Sequence, residues 1–428
     1  MTSPLQKQDF ILPILVSKES QRQSYIFDLI FKEIIGIEYV LVDKSFEGSV
    51  LKYGFESGFW SHGYLDQISI EMPNFENGQF EGKILPFFGA TAFHETPFDI
   101  FATCFYFVTR HEELDLKEVD QHGRFLAENS WLIQNGWQYE PIVNYLAFWL
   151  SSWIEKEFNL FLPKKSNYRV RPTLDIDNAY AFYGRKKSIV FSAFKSILEG
   201  KIDDAKLKLR SAKEKEIDPF NTHKSIIKQF DTYEAKPTIF FLMKEGGNNS
   251  NNRIELVQEI VRLYIENGFA LGLHPSYRSV LDSITSEKKL LESFAQENIN
   301  KSRHHFIKIN PHADYPQLAK IGVQREYSMG FANTVGFRAG ICNPYNWFDL
   351  NENKPIDLTV VPFYFMDATY IFYLKYSPQQ ALGSIKKIVE TVKRYEGQLS
   401  FIFHNESLSN YGVYENWGKF YKETLNIV

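Results

Sequence analysis

The sequence predicts a mixed α/β protein with two parts. A smaller α/β domain spans residues 1–162, and a larger one, 163–428, is built on a largely parallel sheet or a β/α barrel. Three observations carry that prediction. The chain has 428 residues, more than one hydrophobic core usually serves. The stretch "NLFLPKKSNYR" places Pro163 inside a polar cluster, the composition of a boundary. The second part then alternates strand-like apolar runs with segments whose apolar residues recur at helical spacing.

Along the first part, "GIEYVLVDK" (36–44) reads as a strand and "EPIVNYLAFWLSSWIEKEF" (140–158) as a helix. In the second, "YRVRPTL" (168–174) is a strand that stops at Asp175 and Asp177. The run 201–220 mixes charges of both signs and reads as a solvated helix. A helix starting near "NTHKSI" leads to the strand "KPTIFFLM" (236–243), and "GGNNSNN" (246–252) is an exposed loop. Residues 253–267 place Ile254, Val257, Ile260, Val261 and Tyr264 on one helical face, with Gly268 beyond the C-cap. The strand "FALGL" (269–273) ends at His274. In 377–397, Ser377 is the N-cap, Pro378 the first helical residue and Gly397 the end, and "QLSFIF" then runs to His404.

Composition removes several function classes. A net charge of −4 leaves no basic footprint for nucleic acid. Two cysteines, Cys104 and Cys342, cannot build a disulfide framework or a cysteine zinc site, and read as reduced thiols of a cytoplasmic, bacterial-type protein. The start shows no leader pattern, and no window holds the roughly 18 apolar residues of a membrane span. Aromatic residues make up 16% of the chain, which suits large cores or an aromatic-lined sugar cleft. There is no G-x-S-x-G, P-loop, G-x-G-x-x-G or H-E-x-x-H, so serine hydrolase, nucleotide-triphosphatase, dinucleotide-dependent dehydrogenase and zincin templates find no support.

In parallel α/β folds, sites lie at the carboxyl ends of strands. Asp175, Asp177, His274 and His404 each stand there after a predicted strand. Positions i and i+2 share a strand face, so one aspartate can ligate a divalent metal, zinc first, while the other acts as a base on water. Taken alone, the same pair reads as turn chemistry. "SRHHFIKINPHADYP" (302–316) adds Arg303, His304, His305 and His312; if 303–309 is extended, His304 and His305 face opposite ways. His404 is placed to protonate a leaving group. Arg338 in "VGFRAG" either steadies a substrate oxygen or makes a structural ion pair. "TRHEEL" and "DQHGRF" read as an ion-paired core, or, through Arg110, Glu112 and Arg124, as cleft lining.

The order of these motifs resembles the polysaccharide-deacetylase superfamily (NodB-homology, carbohydrate esterase family 4) over residues 168–405. "TLDID" is similar to an Asp-x-Asp variant of that family's TFDD motif. "KPTIFFLM", a helix and "NGFALGLHPSY" follow its second motif, "SRHHF" its arginine-containing third, and "FIFHNES" its closing Leu-x-His. "FYFVTRHEELDLKEVDQHGRF" (105–125) and "YSMGFANTVGFRAG" (327–340) resemble features of a bacterial subgroup with an extra N-terminal domain. The resemblance implies a distorted (β/α) barrel of NodB type after a smaller α/β domain, and a metal-dependent hydrolase that removes N- or O-acetyl groups from a sugar or polysaccharide intermediate. It implies Asp175 as base, Asp177 and His274 as metal ligands, Arg303 as orienter of the base and His404 as acid. The family's second ligating histidine is replaced by Arg278, so a third ligand has to come from elsewhere, His305 first and His304 second. Tyr277, Arg278 and Arg338 are the candidate substrate contacts. The rival readings are a carbohydrate-binding protein of the same fold that has lost its metal, and a scaffold that binds partners through the N-terminal part.

Overall fold

The computed structural model of the protein describes residues 10–55, 75–88, 96–116, 118–162, 168–184, 188–231, 233, 236–243 and 253–428. Pro163 and the stretch 246–252 lie outside the described residues. In the first part, β1 (Ile11–Val16), β2 (Glu38–Leu41) and β3 (Leu51–Tyr53) form a parallel sheet in the order β2-β1-β3, beside a hairpin of β4 (Glu76–Phe80) and β5 (Lys83–Phe87). The predicted helix near 140–158 is Ile142–Glu157.

The second part holds β6 (Arg169–Ile176), β7 (Thr238–Leu242), β8 (Leu271–His274), β9 (Lys301–Ser302), β10 (Arg325–Glu326), β11 (Tyr345–Asp349), β12 (Lys354–Val360) and β13 (Gln398–His404). They make one eight-stranded sheet in the order β11-β12-β10-β9-β8-β7-β6-β13, in which only β11 runs antiparallel to its neighbour. From Thr173 to Ile176 β6 is buried at every residue, as a central parallel strand covered on both faces should be. Pro172 precedes the point where β7 joins, so it lacks a donor only where β6 has β13 alone beside it.

The sheet is curled, and the chain leaving β12 makes hydrogen bonds to both β10 and β13. Val361 N donates to Glu326 O (2.8 Å) and Phe363 N to Met329 O (3.0 Å). Tyr364 N then donates to Ser400 O on β13 (3.1 Å), and Ile402 N returns a bond to Phe365 O (3.1 Å). Residues 361–366 thus link the end of β10 to β13, which is itself one end of the sheet.

Three local expectations change. The charged run 201–220 is helical only over Ile202–Ser211, after which a 3-10 turn, Lys215–Ile217, leads toward Pro219. The helix Pro378–Arg394 has the expected Ser377 cap, reciprocated by Gln380, but Glu396 (φ 51°) takes the left-handed position beyond its end. Gly397 is required for a different reason: a Cβ there would lie 2.4 Å from Cys342 Sγ and 2.5 Å from its carbonyl. β6 also runs through Asp175 to Ile176, one turn of the pleat past the predicted end. Gly268 does adopt the left-handed conformation (φ 73°) expected beyond the helix Ile254–Glu266.

The two parts share one hydrophobic core. Tyr25 packs 5.0 Å from Phe348 and donates its hydroxyl to Asn346 O (2.8 Å), while Arg22 Nε donates to Asn353 Oδ1 (2.8 Å). Cys104 and Cys342 are both buried and free. Among the described residues no helix is long and apolar enough to cross a membrane.

Candidate active site

The ladder between β6 and β13 sets Asp175 directly beside His404, so two residues far apart in sequence meet at one sheet edge. Asp175 is 1% exposed, and a buried carboxylate needs partners. Arg303, leaving β9, supplies them. Its Nη1 donates to Asp175 Oδ1 (2.7 Å), Nη2 to Thr173 Oγ1 (2.7 Å) and Nε to Tyr327 O (3.1 Å). Its guanidinium also lies 4.4 Å over the Phe240 ring. The rigid fork therefore fixes one Asp175 oxygen and leaves Oδ2 turned toward His274 Nε2, 3.9 Å away.

His274 ends β8, with its Nδ1 2.6 Å from Arg303 O. A carbonyl only accepts, so Nδ1 donates to it and Nε2 is the nitrogen that faces the cavity. That Nε2 is buried and makes no hydrogen bond of proper geometry, although Asp177 Oδ1 is 3.2 Å away. On the other side of Asp177, Oδ2 is 3.2 Å from His305 Nε2. Burial works to raise the Asp177 pKa, but His305 and then His274 outweigh it and hold the carboxyl well below its ordinary range.

His305 reaches this position through a 3-10 turn, His305–Ile307, in which Phe306 (φ 61°) and Ile307 (φ 55°) are both left-handed. Such conformations cost on the order of 1–3 kcal/mol each for non-glycine residues, and here they aim an imidazole. The extended reading of 303–309 is thereby corrected: His304 and His305 both line the cavity. Ligand atoms of Asp177, His274 and His305 all lie within 4.8 Å of one another. Two imidazole nitrogens and one carboxylate oxygen, with a carbonyl orienting one imidazole, are a donor set that fits a zinc-like divalent ion with an open position.

His404 completes the constellation. Its Nδ1 donates to Asp367 Oδ1 (2.7 Å) and its backbone N to Asp367 Oδ2 (2.7 Å), while Ser407 Oγ donates to the same carboxylate. Its Nε2 faces Asp177 Oδ2 at 3.9 Å. Burial works to lower the His404 pKa, yet Asp367 first and then Asp177 and Asp175 push it well above the ordinary histidine value. Glu406 lines the same cavity and accepts from Asn178 Nδ2 (2.5 Å) and Tyr414 Oη (3.1 Å). Burial, then the nearby Asp177 charge, raise its carboxyl to about 7. Sequence reasoning missed both carboxylates. Asp367 follows the apolar run "VVPFYFM", a usable strand-end signal, and Glu406 stands two residues past His404.

These groups sit in a cavity of about 280 Å³ whose apolar wall includes Phe306, Met366, Phe372 and Tyr373. The first part of the chain contributes Arg124, held by Asp120 (Nε to Oδ2, 2.6 Å) and donating to Phe306 O (2.8 Å) and Tyr373 Oη (3.1 Å). "DQHGRF" is thus cleft lining at Arg124, whereas "TRHEEL" is core. Arg110 pairs with Glu112 (2.6 Å) and Glu113 (2.7 Å), and Arg338 pairs with Glu113 (2.6 Å). Of the two readings open for Arg338, the ion pair is the one observed, and Arg338 does not line the cavity. Tyr277 lines a neighbouring cavity and bonds His122 Nδ1 (2.9 Å). Arg278 is exposed and lines neither cavity, so it does not fill the space beside Asp177. His312 lies elsewhere, with Nε2 on Arg110 O (3.0 Å).

Comparison with known proteins places residues 12–159 in a match to a family model described as a family of unknown function (DUF7033). No curated protein matches the chain. Among solved structures, the chain is similar to one described as a "putative polysaccharide deacetylase" from Mycobacterium smegmatis, at 14% identity and a TM-score of 0.39, over 62% of this chain and 86% of that one. It is also similar to a mutant of a CE4 family pseudoenzyme with restored enzymatic activity, at 12% identity and a TM-score of 0.26, over 60% of this chain and 63% of that one.

Proposed function

We propose that the protein is a metal-dependent hydrolase that removes acetyl groups, from nitrogen or oxygen, from a sugar or polysaccharide intermediate. The observation that carries this reading is the convergence of Asp177, His274 and His305 ligand atoms within 4.8 Å of one another, beside a base and an acid each with its own fixed partner. A divalent ion held by those three side chains supplies Lewis acidity, both to water and to an acyl carbonyl. Asp175 receives the proton of the attacking water at Oδ2, since Arg303 holds Oδ1. His404, cationic through Asp367, gives its Nε2 proton to the departing amine or alcohol oxygen. Phe306 and Met366 supply an apolar wall around the acyl group.

The test is metal content together with acetate release. Protein purified without chelators should hold about one zinc-like ion per chain and release acetate from N-acetylated oligosaccharides. His305→Ala should lose both. Metal-free protein with full acetate release would overturn the reading, as would undiminished ion content in His305→Ala.

A further inference from the structure

The helix Ser188–Leu198 has an inner face and an outer face that are both apolar. Ile189 and Ala193 are buried with Ser196, one side of the helix at helical spacing. Val190, Phe191, Phe194, Ile197 and Leu198 form the opposite stripe, and all are exposed, Phe191 at 74% and Leu198 at 72%. Exposed Ile202 continues the stripe into the antiparallel partner helix Ile202–Ser211. A continuous apolar stripe of this kind in contact with water marks an interaction surface.

Its place in the fold narrows the occupant. The hairpin belongs to an excursion that leaves the carboxyl end of β6 and returns there. His223 Nε2 donates to Ala179 O (3.0 Å) and Thr222 Oγ1 to Asn405 O (3.0 Å) at the return. Tyr411, past the end of β13, donates its hydroxyl to Asp204 of the hairpin. The stripe therefore stands on the rim that carries the catalytic cavity, where Phe372 and Tyr373 of the cavity wall and Val413 are also exposed.

Charge and size point the same way. From Arg185 to Glu214 the sequence carries nine basic side chains against four acidic, within a protein of net charge −4. Exposed Lys195 and Lys201 bracket the end of the stripe and share one acidic partner, Glu199 (3.9 and 2.8 Å). A segment with a basic excess that exposes an apolar stripe of phenylalanine, isoleucine and leucine is suited to the headgroup layer of an anionic bilayer. A helix of 11 residues spans about 16 Å, too short to supply the roughly 800 Å² per partner of a stable homodimer.

We propose that the 188–211 hairpin seats the protein on anionic phospholipid membrane surfaces, with the cavity rim facing the lipid. The inference is independent of the chemistry in the cavity, because vesicle binding is read without turnover. The test is flotation of the full-length protein with vesicles of phosphatidylcholine, with and without phosphatidylglycerol. The wild type should float with the phosphatidylglycerol vesicles, less so as salt rises. The double variant Phe191→Ser/Phe194→Ser should bind at least about tenfold more weakly, with an unchanged thermal midpoint because both side chains are exposed. A wild type that stays at the bottom with both vesicles would overturn the proposal, as would a double variant that floats equally well. Self-association lost in the double variant, without vesicle binding, would overturn it in favour of a second copy, and a protein partner captured through the stripe without vesicle binding would do so in favour of that partner.

Discussion

Asp175 and Asp177 stand two residues apart and are held by different neighbours. Asp175 is clamped by Arg303 at one oxygen, while Asp177 sits between two imidazoles. On the proposed reading, replacing Asp175 with Asn should cut acetate release by about 10²–10⁴-fold, the usual worth of a general base, while ion content stays unchanged because Asp177, His274 and His305 are left intact. Metal analysis beside a turnover assay checks this, and near-normal turnover would reassign the base. The His404–Asp367 pair makes a second prediction, read in pH. Asp367 raises the His404 pKa against the opposing effect of burial, and only protonated His404 can donate. Asp367→Asn should therefore lower that pKa and move the alkaline limb of the pH–rate profile to lower pH, the acid limb staying in place. An alkaline limb that does not move would separate His404 from the proton transfer.

The elements that position these residues differ in how far they could be read in advance. β6, β8 and β13 were legible because each is an apolar run ending in an aspartate or histidine, and parallel strands align such ends on one edge. What the pattern could not carry is the register that sets His404 against Asp175, which only the ladder fixes. Residues 361–366 were illegible as a sheet element, since they join β13 through a single bridge and a few irregular hydrogen bonds, and Asp367 was lost with them. The turn at His305 was hidden for another reason: Phe306 and Ile307 adopt conformations their side chains disfavour. Gly397 marks a similar limit, because its role is a close approach to Cys342 rather than a helix end. Gly397→Ala forces a methyl group into Cys342 at the head of β13. It should destabilise the protein by about 1–3 kcal/mol, seen as a lower midpoint in thermal or urea unfolding. An unchanged midpoint would mean that β13 shifts freely at its start.

At the scale of the whole molecule, the two parts of the chain are joined by buried charge as well as by apolar packing. Glu113 from the first part accepts from Arg338 at both carboxylate oxygens and from Arg110 at one, and Arg110 Nη1 reaches back to donate to Arg338 O. Removing one member of such a group leaves an uncompensated charge in the core, so Glu113→Gln should cost on the order of 3–5 kcal/mol. The same network makes stability depend on acid in a definite direction. Burial works to raise the Glu113 pKa, but Arg338 and Arg110 outweigh it and bring the carboxyl down to about 2 from an ordinary 4.5. A depressed carboxyl binds protons less readily in the folded chain than in the unfolded one. Its contribution, on the order of 3 kcal/mol by linkage, is therefore complete above the ordinary value and is lost as pH falls from about 4.5 toward about 2. Urea unfolding of the wild type across that window should show stability falling with pH. Glu113→Gln, less stable at neutral pH, should show a shallower fall because this proton is no longer taken up. Parallel slopes for the two proteins would remove Glu113 as the acid-sensitive clasp between the halves of the chain.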